Sequence, residues 1–256
     1  MDRKILEMKN IDFNNNNINK FKSIYMCVSG GADSALLLFL ISKHISENNF
    51  DISITPATGI EPQPDFVRND WYVERIVNII RNLFPNVTIR DPLFTYFQGY
   101  TTQEKITFPK CDLMRNMNTN NILNGDYDLC IDALSSIPDF KEIETDEKFL
   151  ERAKSIGPED RQYTGKKNDK MLISNRKNKN NKQVYWWQPF INFTKKDFAV
   201  LYEHHNLMEN LFPYTASCTG NAKDTNNFTE PCQQCFWCLE KYWAFNLFDY
   251  PKKLLK

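Results

Sequence analysis

The apolar positions fall into blocks whose period changes along the chain. Ile24-Tyr25-Met26-Cys27-Val28 is a continuous apolar run, as a strand covered on both faces requires, and residues 35–41 form a second run beyond a short polar turn. Residues 51–57 alternate with a period of two and predict a second strand, closed by Pro56 and Thr58-Gly59. Glu61-Pro62-Gln63-Pro64 bars a helix until Asp65, after which Tyr72, Ile76, Ile79, Ile80 and Leu83 recur at helical spacing until Pro85. Val87-Thr88-Ile89 predicts a third strand and residues 127–134 a fourth, with a helix between them around 113–123. Val184-Tyr185-Trp186-Trp187 is a further strand-like cluster, ending at Pro189. Thr194 and Asp197 are then spaced as a capping box for a helix whose buried stripe is Phe198, Leu201 and Tyr202. Strands alternating with helices predict an α/β fold: a doubly wound, mostly parallel sheet with helices on both faces. A ligand of such a sheet lies beyond the carboxyl ends of its strands.

The stretches between these blocks are polar. Residues 1–22, with the tract Asn14–Asn17, read as a poorly packed lead-in. Residues 139–182 are charged and Asn-rich, culminating in Arg176-Lys177-Asn178-Lys179-Asn180-Asn181-Lys182, a run expected to be a solvated loop rather than a polyanion contact. Lys and Arg together equal Asp and Glu at 32 each, so no global basic field argues for duplex nucleic acid, although that local run leaves RNA open. The opening Met1-Asp2-Arg3-Lys4-Ile5 has no apolar h-region, and the run at 35–41 is too short for a membrane span. The expectation is a soluble, cytoplasmic protein. Its 7 cysteines, an odd number, suit reduced thiols and metal ligation better than a disulfide framework.

The turn between the first two apolar runs is Ser29-Gly30-Gly31-Ala32-Asp33-Ser34. Glycines let it fold tightly and let an anion approach the main chain, while the first N–H groups of the following helix lack intrahelical partners and sit at its positive dipole end. Ser29 and Ser34 add hydroxyl donors. Asp33 would repel phosphates unless a divalent cation or a loop hydrogen bond engages it, so it reads as a loop organiser or magnesium contact. The turn lacks the Gly-Lys-Ser/Thr ending of a Walker A motif.

Near the other end stand Cys218 and then Cys232-Gln-Gln-Cys235-Phe-Trp-Cys238. Three cysteines at two-residue spacing form a knuckle, and a fourth from an upstream loop completes a tetrahedral sulfur site with no open position. Such a site is structural if it holds zinc, clipping the C-terminal helix at 236–248 to the preceding loop; an iron–sulfur cluster is the competing occupant.

The Ser-Gly-Gly-x-Asp-Ser string resembles the pyrophosphate loop of the ATP pyrophosphatases. Combined with Thr215-Ala216-Ser217-Cys218, the cysteine knuckle and Pro189-Phe190-Ile191-Asn192-Phe193-Thr194-Lys195, the chain looks like the 7-cyano-7-deazaguanine synthases of that superfamily, with Arg115-Asn116 and Pro138-Asp139 as shorter matches. Lys241 and Gln233 stand where that family has arginine and glycine, and Thr58-Gly59-Ile60-Glu61 replaces its aromatic-Gln-x-His signature. The resemblance implies an adenine nucleotide alpha-hydrolase-like domain over residues 1–215 and a four-cysteine zinc module over 216–256. It implies ATP, Mg2+ and structural Zn2+, with Ser29, Gly30, Gly31, Asp33 and Ser34 holding nucleotide and Asp33, Ser34 and Lys195 in catalysis. The implied reaction adenylates a 7-deazapurine carboxylate and aminates it with ammonia; a homodimer is compatible. Three other readings stay open: a tRNA sulfur-transfer enzyme in which Cys111 or Cys130 carries a persulfide or the cysteine knuckle holds iron–sulfur, a sulfonucleotide reductase-like enzyme suggested by Pro109-Lys110-Cys111, and a non-catalytic nucleotide-binding protein.

Overall fold

A computed structural model of the chain describes residues 18–60, 69–96, 118–155, 162–163 and 172–251. Its centre is β1 (Ser23–Cys27), whose Ile24, Tyr25 and Met26 are fully buried because the sheet is covered on both faces there. The Ser29–Ser34 turn follows, and then α1 (Ala32–Asn48). This helix is apolar nearly all round, with Leu36, Leu37, Leu38 and Ile41 all buried, since it lies between the sheet and two neighbouring helices. Asn49 ends it in a left-handed cap whose N–H returns to Ile45 and Ser46.

The remaining elements are β2 (Ser53–Ile60), α2 (Asn69–Leu83), β3 (Thr88–Ile89), β4 (Leu93–Tyr96), a helix α3 at 118–124, β5 (Leu129–Ile131), β6 (Ser136–Ile137), α4 (Glu147–Ser155), β7 (Gln162–Tyr163), β8 (Leu172–Lys177), β9 (Gln183–Trp187), α5 (Lys195–His204) and α6 (Phe236–Phe245). The main sheet runs β3-β2-β1-β5-β9-β8, with β4 continuing alongside β2 beyond β3. Every pairing is parallel except the β8–β9 hairpin at the edge. The expected α/β fold with a mostly parallel sheet and flanking helices is therefore present. α1, α2 and α5 cover one face, packing on Ile24, Met26, Ile54, Leu129 and Ile131; α3 covers the other through Ile122 against Tyr25 and Cys130.

Several details differ from the expectation. β2 does not stop at Pro56 but continues to Ile60. Ala57 accepts from the Val28 N–H and Ile54 from the Arg90 N–H, so the even positions of β2 face away from β1. The missing N–H of Pro56 thus points where β3 has ended and β4 has not begun, and the strand tolerates it. The buried stripe of α2 is Tyr72, Val73, Ile76, Val77 and Ile80, leaving Leu83 exposed. The basic run is not a free loop: Lys177 ends β8, and residues 178–182 make the turn into β9. Buried Asn178 organises that turn by accepting from the N–H groups of Asn180 and Lys182, and the Lys182 ammonium pairs with Asp126 and Asp128. Charge-rich composition hid a strand that is defined by its antiparallel pairing with β9. The polar lead-in also ends early, with Ile18 and Phe21 buried in the core; residues 1–17 lie outside the described set.

Sequence order reverses between β1 and β5: from β1 the chain first builds outward through β2, β3 and β4, then crosses to the other side. A crevice at the carboxyl ends of β1 and β5 is where a doubly wound sheet binds ligands. The Ser29–Ser34 turn lies at that switch point, as does Asp132, which follows β5. Among the described residues no helix is long and apolar enough to cross a membrane.

Candidate active site

Gly30 takes a positive φ of 83°, which L side chains rarely adopt, and so turns the chain sharply out of β1. Ser34 folds back over the turn: its hydroxyl donates to the Gly31 carbonyl at 3.1 Å and accepts from the Ser29 N–H at 3.2 Å, with the Ser29 hydroxyl 3.3 Å away. Gly31 is the N-cap of α1 and offers no side chain to its first turn, so the helix presents backbone donors at its positive end.

Two side chains of α5 fix this first turn. The Tyr202 hydroxyl donates to the Ala32 carbonyl at 2.9 Å, and the Lys195 ammonium pairs with Asp33. The Ser135 hydroxyl, just beyond β5, donates to the other Asp33 oxygen at 3.2 Å. α5 can do this because its start is firmly set by the predicted capping box: Asp197 accepts from the Thr194 N–H at 2.7 Å and hydroxyl at 3.0 Å. Lys195 is buried rather than solvated, which its first-turn position left open. Ser29, Gly30, Gly31, Asp33, Ser34 and Lys195 are thus brought together at one point, and Ser135 joins them.

A second wall of the turn comes from residues 215–218. The Ala216 N–H donates to the Gly30 carbonyl at 2.9 Å, and the Ser217 hydroxyl is buried, without a hydrogen-bond partner, close to Gly31. This segment continues into the cysteine cluster. The sulfurs of Cys218, Cys232, Cys235 and Cys238 all lie within 4.8 Å of one another, with Cys232 and Cys238 3.9 Å apart. One metal ion about 2.3 Å from each of four tetrahedral thiolates sets sulfurs about 3.8 Å apart, so the cluster has the dimensions of a single-ion site. Backbone donors serve the sulfurs: Gly220 and Cys232 N–H groups to Cys218 at 3.3 and 3.2 Å, and the Cys235 N–H to Cys232 at 3.4 Å. The thiols share protons: hydrogen bonds from Cys218 and Cys238 pull the Cys235 pKa down, and the same hydrogen bonds raise those of Cys218 and Cys238. Gly220 has no room for a side chain, since a Cβ would come within 2.6 Å of the Thr225 methyl and 2.8 Å of the Cys232 Cβ.

Below the cluster, Lys241 is fully buried and gives its ammonium to Asp249 at 2.5 Å and to the Thr215 carbonyl and hydroxyl at 3.1 and 3.0 Å. Burial pulls its pKa below the usual lysine value, opposed by the Asp249 carboxylate. Asp249 also accepts from the Ser217 and Cys218 N–H groups at 2.7 and 2.8 Å.

Other expected features fall elsewhere. Asp139 caps a short 3-10 turn, Phe140–Glu142, by accepting from the Lys141 N–H. Cys130 is buried against Cys27 on the α3 face of the sheet, and burial raises its thiol pKa well above the ordinary value. Cys111, Arg115-Asn116 and Pro109-Lys110 lie outside the described residues. Ser135, Ser217, Gly220 and Asp249 were not singled out from the sequence. Ser217 belonged to a matched motif, whereas Ser135 and Asp249 carry no local signal.

No family model and no curated protein matches the chain. Among solved structures it is similar to the U34-tRNA thiolase NcsA from Methanococcus maripaludis with its [4Fe-4S] cluster, at 15% identity and a TM-score of 0.38 over 80% of this chain and 62% of that one. It is also similar to the FMN adenylyltransferase of Candida glabrata in complex with FMN and the ATP analogue AMPCPP, at 16% identity and a TM-score of 0.36 over 87% of this chain and 64% of that one. The chain spans less than two thirds of either neighbour's length. Likeness at this level says nothing of activity, which has to be argued from the site.

Proposed function

We propose that the chain is an ATP-dependent enzyme that cleaves between the α and β phosphates, adenylates a carboxylate and aminates it with ammonia. The carrying observation is the Ser29–Ser34 turn: an uncapped helix N-terminus at the sheet's switch point, with Asp33 bound on both sides by Lys195 and Ser135. A substrate carboxylate oxygen attacks the α-phosphorus and pyrophosphate leaves. The amides of the first helical turn and the Ser29 and Ser34 hydroxyls meet the charge developing on that leaving group, and Lys195 adds a cation beside it. Asp33, once engaged by Lys195 and Ser135, no longer repels the phosphates and can lend an oxygen to magnesium, which would further neutralise pyrophosphate. Ammonia then displaces AMP from the acyl carbon to give an amide. A second adenylation, on the amide oxygen, followed by loss of AMP and a proton, gives a nitrile.

The acid proposed is 7-carboxy-7-deazaguanine, on the strength of the loop and cysteine motifs that occur together. The single-ion sulfur spacing supports zinc in the cluster, held by Cys218, Cys232, Cys235 and Cys238 in a structural role. Sulfur transfer to tRNA is a second reading with one observation in its favour, the contact of Cys27 with Cys130 at the strands flanking the turn. The raised thiol pKa of Cys130 is opposite to what a nucleophile needs.

Incubation with magnesium-ATP, ammonia and 7-carboxy-7-deazaguanine, followed by mass analysis, tests the proposal. AMP together with the amide or nitrile is expected. An iron–sulfur chromophore with sulfur entering tRNA, and no product from the acid, would replace it with the second reading.

A further inference from the structure

Residues 215–218 are shared by the two halves of the site. On one side Ala216 bonds the Gly30 carbonyl, and its own carbonyl and the Ser217 hydroxyl stand beside Gly31; on the other, Cys218 contributes its sulfur to the metal cluster. A four-residue stretch with no helix or strand of its own has no reason to hold one conformation unless something outside it fixes its peptides. Asp249 is placed to do so. One carboxylate oxygen takes both successive N–H groups, Ser217 and Cys218, while the other oxygen takes Lys241. Lys241 returns to the start of the same stretch through both oxygens of Thr215. The carboxylate, the ammonium and Thr215 are all buried, so each bond is made without competition from water. Asp249 lies 32 residues beyond Ser217, and its hydrogen bonds go to Lys241, Ser217 and Cys218; its influence on the turn runs through Ala216 and Ser217.

We infer that Asp249 is a positioning residue for the Ser29–Gly31 turn, with Lys241 as its fixed counter-ion. Residues 215–218 are the strut by which it sets where the Gly30 carbonyl and Gly31 N–H point. The ligand affected, pyrophosphate or the matching part of ATP, rests on the function proposed above; the positioning itself does not. A role confined to the cysteine cluster would make the pair matter only through metal retention, and this difference can be measured.

The full chain is compared with Lys241→Arg and with the paired change Lys241→Met/Asp249→Leu, which removes both charges together, so that neither is stranded in the interior, and also removes the acceptor of the Ser217 and Cys218 N–H groups. Metal content, amide hydrogen exchange and calorimetric titration of magnesium pyrophosphate are read on each. With metal content unchanged, the paired variant is expected to exchange the amides of residues 29–32 faster than wild type and to bind pyrophosphate more weakly, on the order of tenfold. Lys241→Arg, which keeps the ion pair, is expected to restore both. Unchanged exchange at 29–32 in a paired variant that retains its metal overturns the inference. So does a loss of pyrophosphate affinity that merely follows metal loss, as in Cys235→Ser. Should wild type take up no pyrophosphate, the function proposed above fails, and the exchange rates alone still decide the positioning role.

Discussion

The lysine–aspartate pairs Lys241–Asp249 and Lys195–Asp33 stand near one another and differ in what surrounds them. Lys241 and Asp249 have side chains 0% and 1% exposed, and every neighbouring donor or acceptor is a fixed backbone or side-chain group. Lys195 and Asp33 have side chains 5% and 18% exposed, and Asp33 lies in the turn that follows β1, where it meets Ser135 beyond β5. The first pair cannot exchange partners without opening the core, so its stability is spent on holding backbone. The second is partly open to solvent, so its carboxylate oxygen could turn to a cation, or its ammonium to a phosphate-bearing ligand, without unfolding the core. The same two residue types therefore form a closed brace in one place and, in the function proposed, a ligand-facing pair in the other, and burial is what separates them.

Breaking the brace should have the largest effect on the fold. Asp249→Ala leaves a buried ammonium without its counter-ion and two N–H groups without an acceptor, and is expected to destabilise by about 3–5 kcal/mol, read by urea unfolding. Asp33→Asn should cost much less, because the Asn oxygen still accepts from Lys195 and the position is 18% exposed, while pyrophosphate release slows about 100-fold, the scale of losing one well-aimed electrostatic partner. If Asp33→Asn proves as destabilising as Asp249→Ala, or Asp249→Ala as mild as a surface change, the contrast between the pairs is wrong. Gly220→Ala should fall between them, costing about 1–3 kcal/mol by overpacking against Thr225 and Cys232 and lowering metal content. Smallest is Gln233→Gly. Gln233 sits at a φ of 57° inside the knuckle, a conformation glycine adopts freely, so the change should stabilise by about 1 kcal/mol or less, seen as a higher melting temperature.

How far the sequence revealed these parts follows from the range of the interactions. Runs and periods of a few residues disclosed β1, α1, α2 and α5, because burial on a regular element repeats locally. The capping box at Thr194 and Asp197 was legible for the same reason, both partners lying within one turn. The four cysteines were legible across 13 intervening residues because so few chemistries need that spacing. The strand β8 was not, since it is set by long-range antiparallel pairing with β9 and its composition argues for solvent. Ser135 meets Asp33 across 102 positions, and no periodicity announces such a contact. Lys195 was found as a candidate by motif, but only the fold places its ammonium on Asp33 instead of in water. Gln233 illustrates the converse: a departure from a family's glycine in the sequence becomes a backbone angle in the structure.

In the function proposed, the Ser29–Ser34 turn holds the β and γ phosphates of ATP. Diffraction from crystals containing magnesium and an α,β-methylene ATP analogue tests it most directly. The β- and γ-phosphate oxygens are expected within hydrogen-bond distance of the N–H groups of residues 31–34 and of the Ser29 hydroxyl. A nucleotide bound elsewhere on the chain, with that turn untouched, would contradict it.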